Sequence, residues 1–176
     1  MFLQLLALMS LAALAGTGDG AKATTHLRFY LHDIVTALPG QPATAVRIAK
    51  ATAPLPGNPT IPFGDMFVID DPLTEGPNAA SPAVGRAQGF YLVASQTEIA
   101  LMLIFNAVFT AGPHNGSTVA VVSRDLITAK VRELPVVGGT GVFRGATGYA
   151  LFRTHTFNTS DMNAVLKVDI CMRCVS

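Results

Sequence analysis

The sequence predicts an all-β protein built as an antiparallel sandwich or barrel, and three observations support this class. Apolar and polar residues alternate with period two in several segments, as they do in strands with one buried face. Clusters of glycine and proline separate these segments, and amphipathic helical periodicity is hard to find after the N-terminus. Short strands joined by such turns without intervening helices favour a sandwich or a barrel. A closed barrel also removes the exposed strand edges that so apolar a chain tolerates poorly.

The strands follow one another along the chain. In residues 27–32, Leu27, Phe29 and Leu31 share an apolar face, and Asp33 falls on that same face. Residues 99–109 are almost continuously apolar, which predicts a strand buried on both faces. Residues 166–173 alternate again. The breaker clusters expected to separate strands are Pro39-Gly40, Pro54 to Pro62, Asp71-Pro72, Gly76-Pro77, Ser81-Pro82, Gly112-Pro113 and Gly138 to Gly141.

The composition is that of one apolar domain without a nucleic-acid surface. A chain of 176 residues suits a single hydrophobic core. The formal net charge of +1 and the charged fraction of 13% supply no basic stripe for nucleic acid or for anionic lipid. Hydrophobic residues make up 50% of the chain, so we expect subunit contacts or an apolar ligand cavity to bury the extra apolar surface.

An apolar run at the N-terminus, residues 1–15, predicts a cleaved signal peptide. The run is leucine-rich and ends in Ala-Leu-Ala, the small-x-small pattern read by signal peptidase. We therefore place the mature barrel domain at residues 16–176 and expect a secreted, extracellular protein. The run is too short to span a bilayer as a stable helix, and we expect no membrane partner. The first residues lack Lys and Arg, which leaves a buried N-terminal strand or helix as the alternative.

Two glycosylation sequons agree with secretion. Asn115 begins Asn-Gly-Ser and Asn158 begins Asn-Thr-Ser, and glycosylation marks surface loops of secreted chains. The only cysteines, Cys171 and Cys174, have C-x-x-C spacing without a second ligand pair. A terminal disulfide or two unpaired thiols is therefore favoured over a zinc or redox site. The four histidines show no metal spacing, so we predict no metal site.

Four polar residues are candidates for chemistry, and each has an ordinary structural alternative. A carboxylate at Asp33 on an apolar face would be partly desolvated and suited to a general acid, or it caps a turn. Asp125 and Arg132 are seven apart, so a hairpin would oppose them as a polar floor or as an exposed ion pair. The Tyr91 hydroxyl would bind a phenol, or the ring packs in the core.

Residues 136–145, VVGGTGVFRG, superficially suggest a dinucleotide loop. The segment does not fit G-x-G-x-x-G, because Arg144 stands three residues after Gly141, and no helical pattern follows it. Glycines that permit a bulge and a sharp strand bend are the better interpretation.

Several runs in order resemble the plant dirigent family over nearly the whole mature chain. The runs are FYLHDI (29–34), FGDMFVIDDPLTEGP (63–77), VGRAQGFY (84–91), NAVFTAGPHNGSTVAV (106–121) and VRELPVVGGTGVFRGATGYA (131–150). The resemblance implies an eight-stranded antiparallel β-barrel of the dirigent and allene oxide cyclase kind, assembled as a homo-oligomer in the apoplast. It also implies a cavity for monolignol-type phenoxy radicals in lignan and phenylpropanoid biosynthesis. A separate laccase or peroxidase would supply oxidation, and no cofactor is expected.

The resemblance also assigns roles to residues. The family's pocket aspartate in the HDI motif falls on Asp33, its pocket tyrosine on Tyr91, and its second acid and arginine on Asp125 and Arg132. The resulting hypothesis is that both aspartates act as acids toward a quinone methide, while Arg132 fixes their geometry. Tyr91 would orient the phenol, and Phe29 would contact the substrate beside it.

Three departures from the family pattern leave the reaction open. Val93 stands where many members have a second tyrosine, Thr147 replaces an arginine, and His114 replaces a tyrosine. A different pocket polarity would mean another phenol, the opposite enantiomer, or a cyclisation or dehydration in place of coupling. A true enzyme acting on a quinone methide and a non-catalytic cell-wall or defence protein are the two alternatives.

Overall fold

The computed structural model describes residues 24–56 and 58–174, so the predicted signal peptide lies outside the described residues. The described residues form eleven strands and two short 3-10 turns, with no α-helix. The strands are β1 (Thr24–Asp33), β2 (Ala45–Ala49), β3 (Ala53–Leu55), β4 (Asn58–Phe63), β5 (Met66–Thr74), β6 (Ala83–Val93), β7 (Ala100–Phe109), β8 (Thr118–Leu126), β9 (Arg132–Thr140), β10 (Thr147–Phe157) and β11 (Ala164–Arg173).

Eight strands close into a barrel, as the resemblance implied. The order is β1-β11-β10-β9-β8-β7-β6-β5, and a pairing of β1 with β5 joins the two ends. All of these neighbours are antiparallel. On the edge away from β6, the closing strand β5 has two partners, because its first half pairs with β2 and its last residues pair with β1. Strands β3 and β4 form a separate hairpin.

Three of the expected breaker clusters lie wholly or partly in strands, and one of them is Gly138 to Gly141, whose first three residues end β9. Strand β5 runs straight through Asp71-Pro72, where we expected a turn. The Asp70 N–H donates to Thr44 O on the edge of β5 that faces β1 and β2, so the Pro72 nitrogen two residues on faces the same edge. That position falls in the gap between β2 and β1, where a missing N–H costs no ladder bond. Much of Pro54 to Pro62 lies in the β3–β4 hairpin.

One end of the barrel is filled by aromatic side chains. Phe109 packs against Phe29 with ring centroids 6.2 Å apart and against Phe143 at 5.4 Å. His114 lies 5.0 Å from Phe143 and 5.9 Å from Phe109. The three phenylalanines are at most 2% exposed. The aromatic plug, defined by these four residues, closes this end.

The strand predicted in residues 99–109 is β7, but only its inner face is fully buried. Leu103, Phe105 and Ala107 point inward and are at most 6% exposed. On the outer face Ile104 is half-buried and Asn106 is exposed. The apolar outer face of β7 is therefore only partly buried within the described part of the chain.

The described part of the chain contains no helix that is long and apolar enough to cross a membrane. Cys171 and Cys174 carry unpaired thiols, which is one of the two arrangements expected from their spacing.

Candidate functional site

A cavity of about 540 Å³ lies inside the barrel, at the end away from the aromatic plug. Its wall is largely apolar and includes Leu31, Phe67, Leu103, Phe152 and Leu166. The turns β8–β9 and β10–β11 contribute residues to its mouth. The volume lies in the range of about 300–1,000 Å³ that small-molecule sites occupy.

One wall of the cavity carries two carboxyl groups and a phenol. Period-two alternation turns Asp33 of β1 and Asp71 of β5 inward, where both line the cavity with Tyr91 of β6. The Tyr91 hydroxyl hydrogen-bonds the Asp33 carboxyl. The Thr44 hydroxyl donates to Asp71 Oδ1 over 2.5 Å. We call Asp33 and Asp71 the carboxyl pair.

Burial makes the carboxyl pair weakly acidic. Removal from water raises the pKa of Asp33 to about 7, although the bond from Tyr91 works against the rise. Burial, followed by the charge of Asp33, raises the pKa of Asp71 to about 8. The two carboxyls titrate as a coupled pair. Near neutral pH the wall therefore holds a proton that an ordinary surface carboxylate would have lost.

The opposite wall carries the ion pair that the sequence spacing suggested. Asp125 of β8 and Arg132 of β9 both line the cavity, with Arg132 Nε 3.4 Å from Asp125 Oδ1. They are 2% and 5% exposed, so the inward-facing arrangement is the one present. In the barrel order β8 lies three strands from β5 and β9 lies three strands from β1. A guest in the cavity is therefore bounded by the carboxyl pair on one side and by the ion pair on the other.

A cation and two aromatic rings are stacked beside the carboxyl pair. The Arg47 guanidinium lies 5.2 Å from the ring centroid of Phe67, and Phe67 stacks on Tyr91 with centroids 5.0 Å apart. Asp65 accepts from Arg47 at 2.9 Å and from the Ala51 N–H at 2.7 Å. The stack holds the Tyr91 ring in place, because Phe67 lies between Tyr91 and Arg47 and the guanidinium of Arg47 is fixed by Asp65.

Of the five residues predicted for the site, four lie in the cavity wall and one does not. Asp33, Tyr91, Asp125 and Arg132 all line the cavity. Phe29 does not, because it lies nearer the other end of β1 and packs in the aromatic plug. Strand alternation put it on the inner face, but the cavity reaches only the last part of that face. Phe29 is therefore a core residue.

Of the three departures from the family pattern, only one faces the cavity. Val93 lines it and is 2% exposed. His114 belongs to the aromatic plug, and Thr147 is exposed at the start of β10. The pocket polarity that we expected to change at three positions therefore changes at Val93 alone.

Asp71, Arg47 and Asp65 were not singled out from the sequence. Asp71 had a usable signal, because Phe67, Ile69, Asp71 and Leu73 alternate along one face, but the following proline suggested a turn. Arg47 and Asp65 are brought together by β2 pairing with β5, which no short-range pattern reveals.

The two sequons occupy exposed turns. Asn115 follows the 3-10 turn near the aromatic plug, and Asn158 begins the β10–β11 turn. The residues on either side of that second turn include Phe157 and Met162, which line the cavity mouth. A glycan on Asn158 would therefore stand at the rim of the cavity.

The described residues contain no group of three His, Cys, Asp or Glu side chains placed to hold a metal ion. The groups that do converge can exchange protons with a guest, hydrogen-bond a phenol and stack on an aromatic ring. A closed barrel of this class therefore encloses a cavity whose size is that of small-molecule sites.

Comparison with known proteins identifies the family. The family model described as Dirigent-like protein matches residues 24–172. The chain is 50% identical over 131 residues to Dirigent protein 1 of Arabidopsis thaliana, covering 74% of this chain and 69% of that protein. It is 42% identical over 147 residues to Pterocarpan synthase 1 of Glycine max, covering 83% and 76%. The chain belongs to the dirigent family.

A solved structure agrees with this assignment. The pterocarpan synthase dirigent protein PsPTS1 superposes on the chain with a TM-score of 0.79 at 36% identity. The match covers 88% of this chain and 97% of that one. The barrel and its closure are therefore a shared architecture.

Proposed function

We propose that this protein binds phenoxy radicals of the monolignol type in its cavity and directs their coupling in one stereochemical sense. A separate laccase or peroxidase generates the radicals. The single observation that carries this proposal is the cavity itself, an apolar hollow of about 540 Å³ with proton-exchanging groups on two opposite walls. Restricted approach of one ring to another gives stereocontrol without any oxidising power in the chain.

The chemistry balances without an external acid. Two radicals each contribute one electron to the new carbon–carbon bond, and the product is a quinone methide. A hydroxyl then adds to the exocyclic carbon, so the quinone oxygen gains one proton and the hydroxyl loses one. Asp33 donates the first proton. Asp125 accepts the second: burial raises the pKa of its carboxyl, Arg132 beside it opposes part of that rise, and a raised pKa makes the carboxylate a better base.

A second candidate function is cyclisation or dehydration of a quinone methide made elsewhere. Two observations favour it: the carboxyl pair keeps a proton available near neutral pH, and relatives named pterocarpan synthase match at 42% and 40% identity. In this case the protein is an enzyme in its own right, and the same acids serve one guest in place of two.

The outer face of the barrel supports assembly as a homo-oligomer. Val46, Val68, Phe90, Ile104 and Val122 are register partners across β2, β5, β6, β7 and β8. They form one apolar row on the outside, of which Val46 is 56% and Val68 43% exposed. A row of this kind suits a second copy of the chain.

Light scattering of the wild type and of Phe90→Glu tests the assembly. The charge is expected to convert an oligomer to a monomer, whereas Val137→Glu, on the outer face of β9, leaves the oligomer intact. A monomeric wild type would contradict the proposal.

Secretion to the apoplast and N-glycosylation remain part of the proposal. Expression in plant cells with Asn115→Gln and Asn158→Gln tests them. Each variant is expected to lose one glycan's mass from the secreted protein. Wild-type protein retained inside the cell, or secreted without glycan, would contradict this part.

The function is tested by incubating the purified protein with coniferyl alcohol, with and without a laccase. Chiral product that requires the laccase supports radical guidance, and loss of the chirality in Asp33→Asn but not in Asp169→Asn assigns it to the cavity. Asp169 is the matched control because it forms an outer ion pair with Arg28. Conversion of a supplied quinone methide without oxidant supports the second candidate. Racemic product throughout, from folded protein, leaves the non-catalytic wall or defence protein.

A further inference from the structure

We propose that Asp71 is a second acid of this site and works with Asp33 as one unit, the charge on either carboxyl holding the proton on the other. The chemical use of that proton rests on the proposed function, whereas the pair itself is a property of the unliganded chain.

The first support is the register of the barrel closure. Tyr30 pairs with Thr74 and Leu31 with Leu73, so the antiparallel register continued by two residues sets Asp33 across from Asp71. Both side chains then point to the interior, as their place in the cavity wall shows. The closure of the barrel therefore brings two carboxyls together from strands that are far apart in sequence.

The second support is the set of carboxyl oxygens left without partners. Asp71 is 0% exposed, and only its Oδ1 is satisfied, by the Thr44 hydroxyl. Asp71 Oδ2 and Asp33 Oδ1 are buried without a hydrogen-bond partner. A buried carboxylate oxygen without a donor is costly. Protonation removes that cost, and the first carboxyl to ionise makes ionisation of the second harder.

The third support is that the neighbouring arginines are each paired with another carboxylate; burial raises the pKa of Asp71 more than Arg86 lowers it. Arg47 of β2 is paired with Asp65 at 2.9 Å. Arg86, on the outer face of β6, is paired with Asp70 at 2.5 Å, and Arg132 across the cavity is paired with Asp125.

The other neighbours of the carboxyl pair bring no positive charge into the cavity. His32 on the outer side of β1 is buried and hydrogen-bonds Thr74, and burial lowers its pKa. Strand β11 contributes only the apolar Ala164 and Leu166 to the cavity. Tyr91 of β6 bonds Asp33 but brings no positive charge.

These surroundings agree with the raised pKa values of both members. Desolvation is the main cause for each, and the charge of Asp33 is the next largest cause for Asp71. When Asp33 gives its proton to a quinone oxygen, its new negative charge strengthens the hold of Asp71 on its own proton. Asp71 is then a neutral donor beside a carboxylate, and below about pH 8 the wall carries at most one negative charge.

The pair is tested in the unliganded protein by carbon-13 NMR titration of labelled aspartate side chains. In the wild type the last proton is expected to leave at about pH 8, and in Asp71→Asn Asp33 is expected to lose its proton near pH 7, about one unit lower. Asp169→Asn is the matched control, since that carboxyl lies on the outer face of β11 and pairs with Arg28. It is expected to leave both transitions unchanged.

The proposal is overturned if both carboxyls of the wild type titrate below pH 5, or if Asp71→Asn still loses the last proton of this site at about pH 8. Should Asp71→Asn fail to fold, Asp33→Asn provides the reciprocal measurement. There the Asp71 transition is expected to move to lower pH, and an unmoved transition overturns the coupling.

A pH–rate profile then tests the use of the proton. Activity that needs the protonated pair falls as pH rises through its upper pKa, so Asp71→Asn is expected to move this decline down by about one pH unit. A profile that does not move overturns the shared role. Wild-type protein inactive at every pH contradicts the proposed function, while the titration still decides the pair.

Discussion

Asp125 Oδ1 lies 3.4 Å from Arg132 Nε across the β8–β9 hairpin, and no hydrogen bond within the described chain satisfies either atom. Ion pairs removed from water gain little net free energy, but breaking one strands a buried charge. The pair is therefore poised to accept a polar group of a guest. Replacing one partner of this ion pair is therefore expected to lower the free energy of unfolding.

Removal of the cation should destabilise the fold more than removal of a similar cation outside. Arg132→Met leaves the Asp125 carboxyl buried beside an apolar side chain, and we expect a loss of about 1–3 kcal/mol in the free energy of unfolding. Arg124→Met breaks an exposed pair with Glu98 on the outer face of β8, and we expect a change below about 1 kcal/mol. Urea unfolding measures both. Equal losses would contradict a buried, uncompensated charge.

Stability should fall with rising pH because of the carboxyl pair. A raised pKa means that the folded chain binds more protons than the unfolded chain between the ordinary value of 3.8 and the folded values of about 7 and about 8. Each carboxyl then lowers the free energy of unfolding by up to about 1.4 kcal/mol per pH unit in its window. The loss ends above about pH 8.

Asp71→Asn should make that slope shallower, as measured by urea unfolding at a series of pH values. His32 acts in the opposite direction, since its lowered pKa favours the folded state as pH rises toward 6.5. The difference between wild type and Asp71→Asn removes the His32 contribution. Parallel curves for the two proteins would contradict the raised pKa of Asp71.

Val93 should be a determinant of the product. Val93→Tyr adds a ring and a hydroxyl to the cavity wall. We therefore expect the product ratio or the chirality of the product to change in a protein that still folds. His114→Tyr and Thr147→Arg restore family residues outside the cavity and should leave the product unchanged. Chiral chromatography of the products compares the three variants. A product change with His114→Tyr but not with Val93→Tyr would contradict the assignment of Val93.

The adjacent glycines of β9 should respond very differently to alanine. A Cβ on Gly139 would lie 2.5 Å from Phe143 O and 2.7 Å from Thr118 O, whereas one on Gly138 would meet nothing within 4 Å. We expect Gly139→Ala to destabilise by about 1–3 kcal/mol and Gly138→Ala to change stability by less than about 1 kcal/mol. Thermal unfolding of both variants decides. Similar costs would contradict the close backbone approach at Gly139.

Much of the fold could be predicted from the sequence, because the alternation of apolar and polar residues in a strand is a local pattern. Asp33 was correctly placed on an apolar face, and the spacing of Asp125 and Arg132 correctly predicted that a hairpin would oppose them. The glycines of residues 136–145 were correctly interpreted as a bulge, since the register of β8 with β9 shifts at Ala120 and Val121. How far the cavity extends along a strand is not local, so Phe29 was misassigned.

The carboxyl pair shows why the rest of the site was missed. Pro72 ordinarily ends a strand, and the gap between β2 and β1 that accommodates it exists only in the closed barrel. The same gap brings Thr44 to Asp71. The gap that accommodates Pro72 and the hydroxyl that binds Asp71 both come from segments distant in sequence. The local sequence pattern therefore could not place Asp71 in the site.

The aromatic plug fills one end of the barrel, and the mouth of the cavity lies at the other end, between the β8–β9 and β10–β11 turns. Under the proposed function, the cavity is too small to admit an oxidase, so the radicals form in solution. They must then enter the mouth of the cavity before they couple with one another. Binding of radicals by the protein then competes with uncontrolled coupling in solution. The enantiomeric excess of the product should therefore fall when the oxidase forms radicals faster than the protein binds them. The coupled product leaves through the same mouth and delays binding of the next radicals. The rate of radical supply then affects the optical purity of the product as much as the shape of the cavity does.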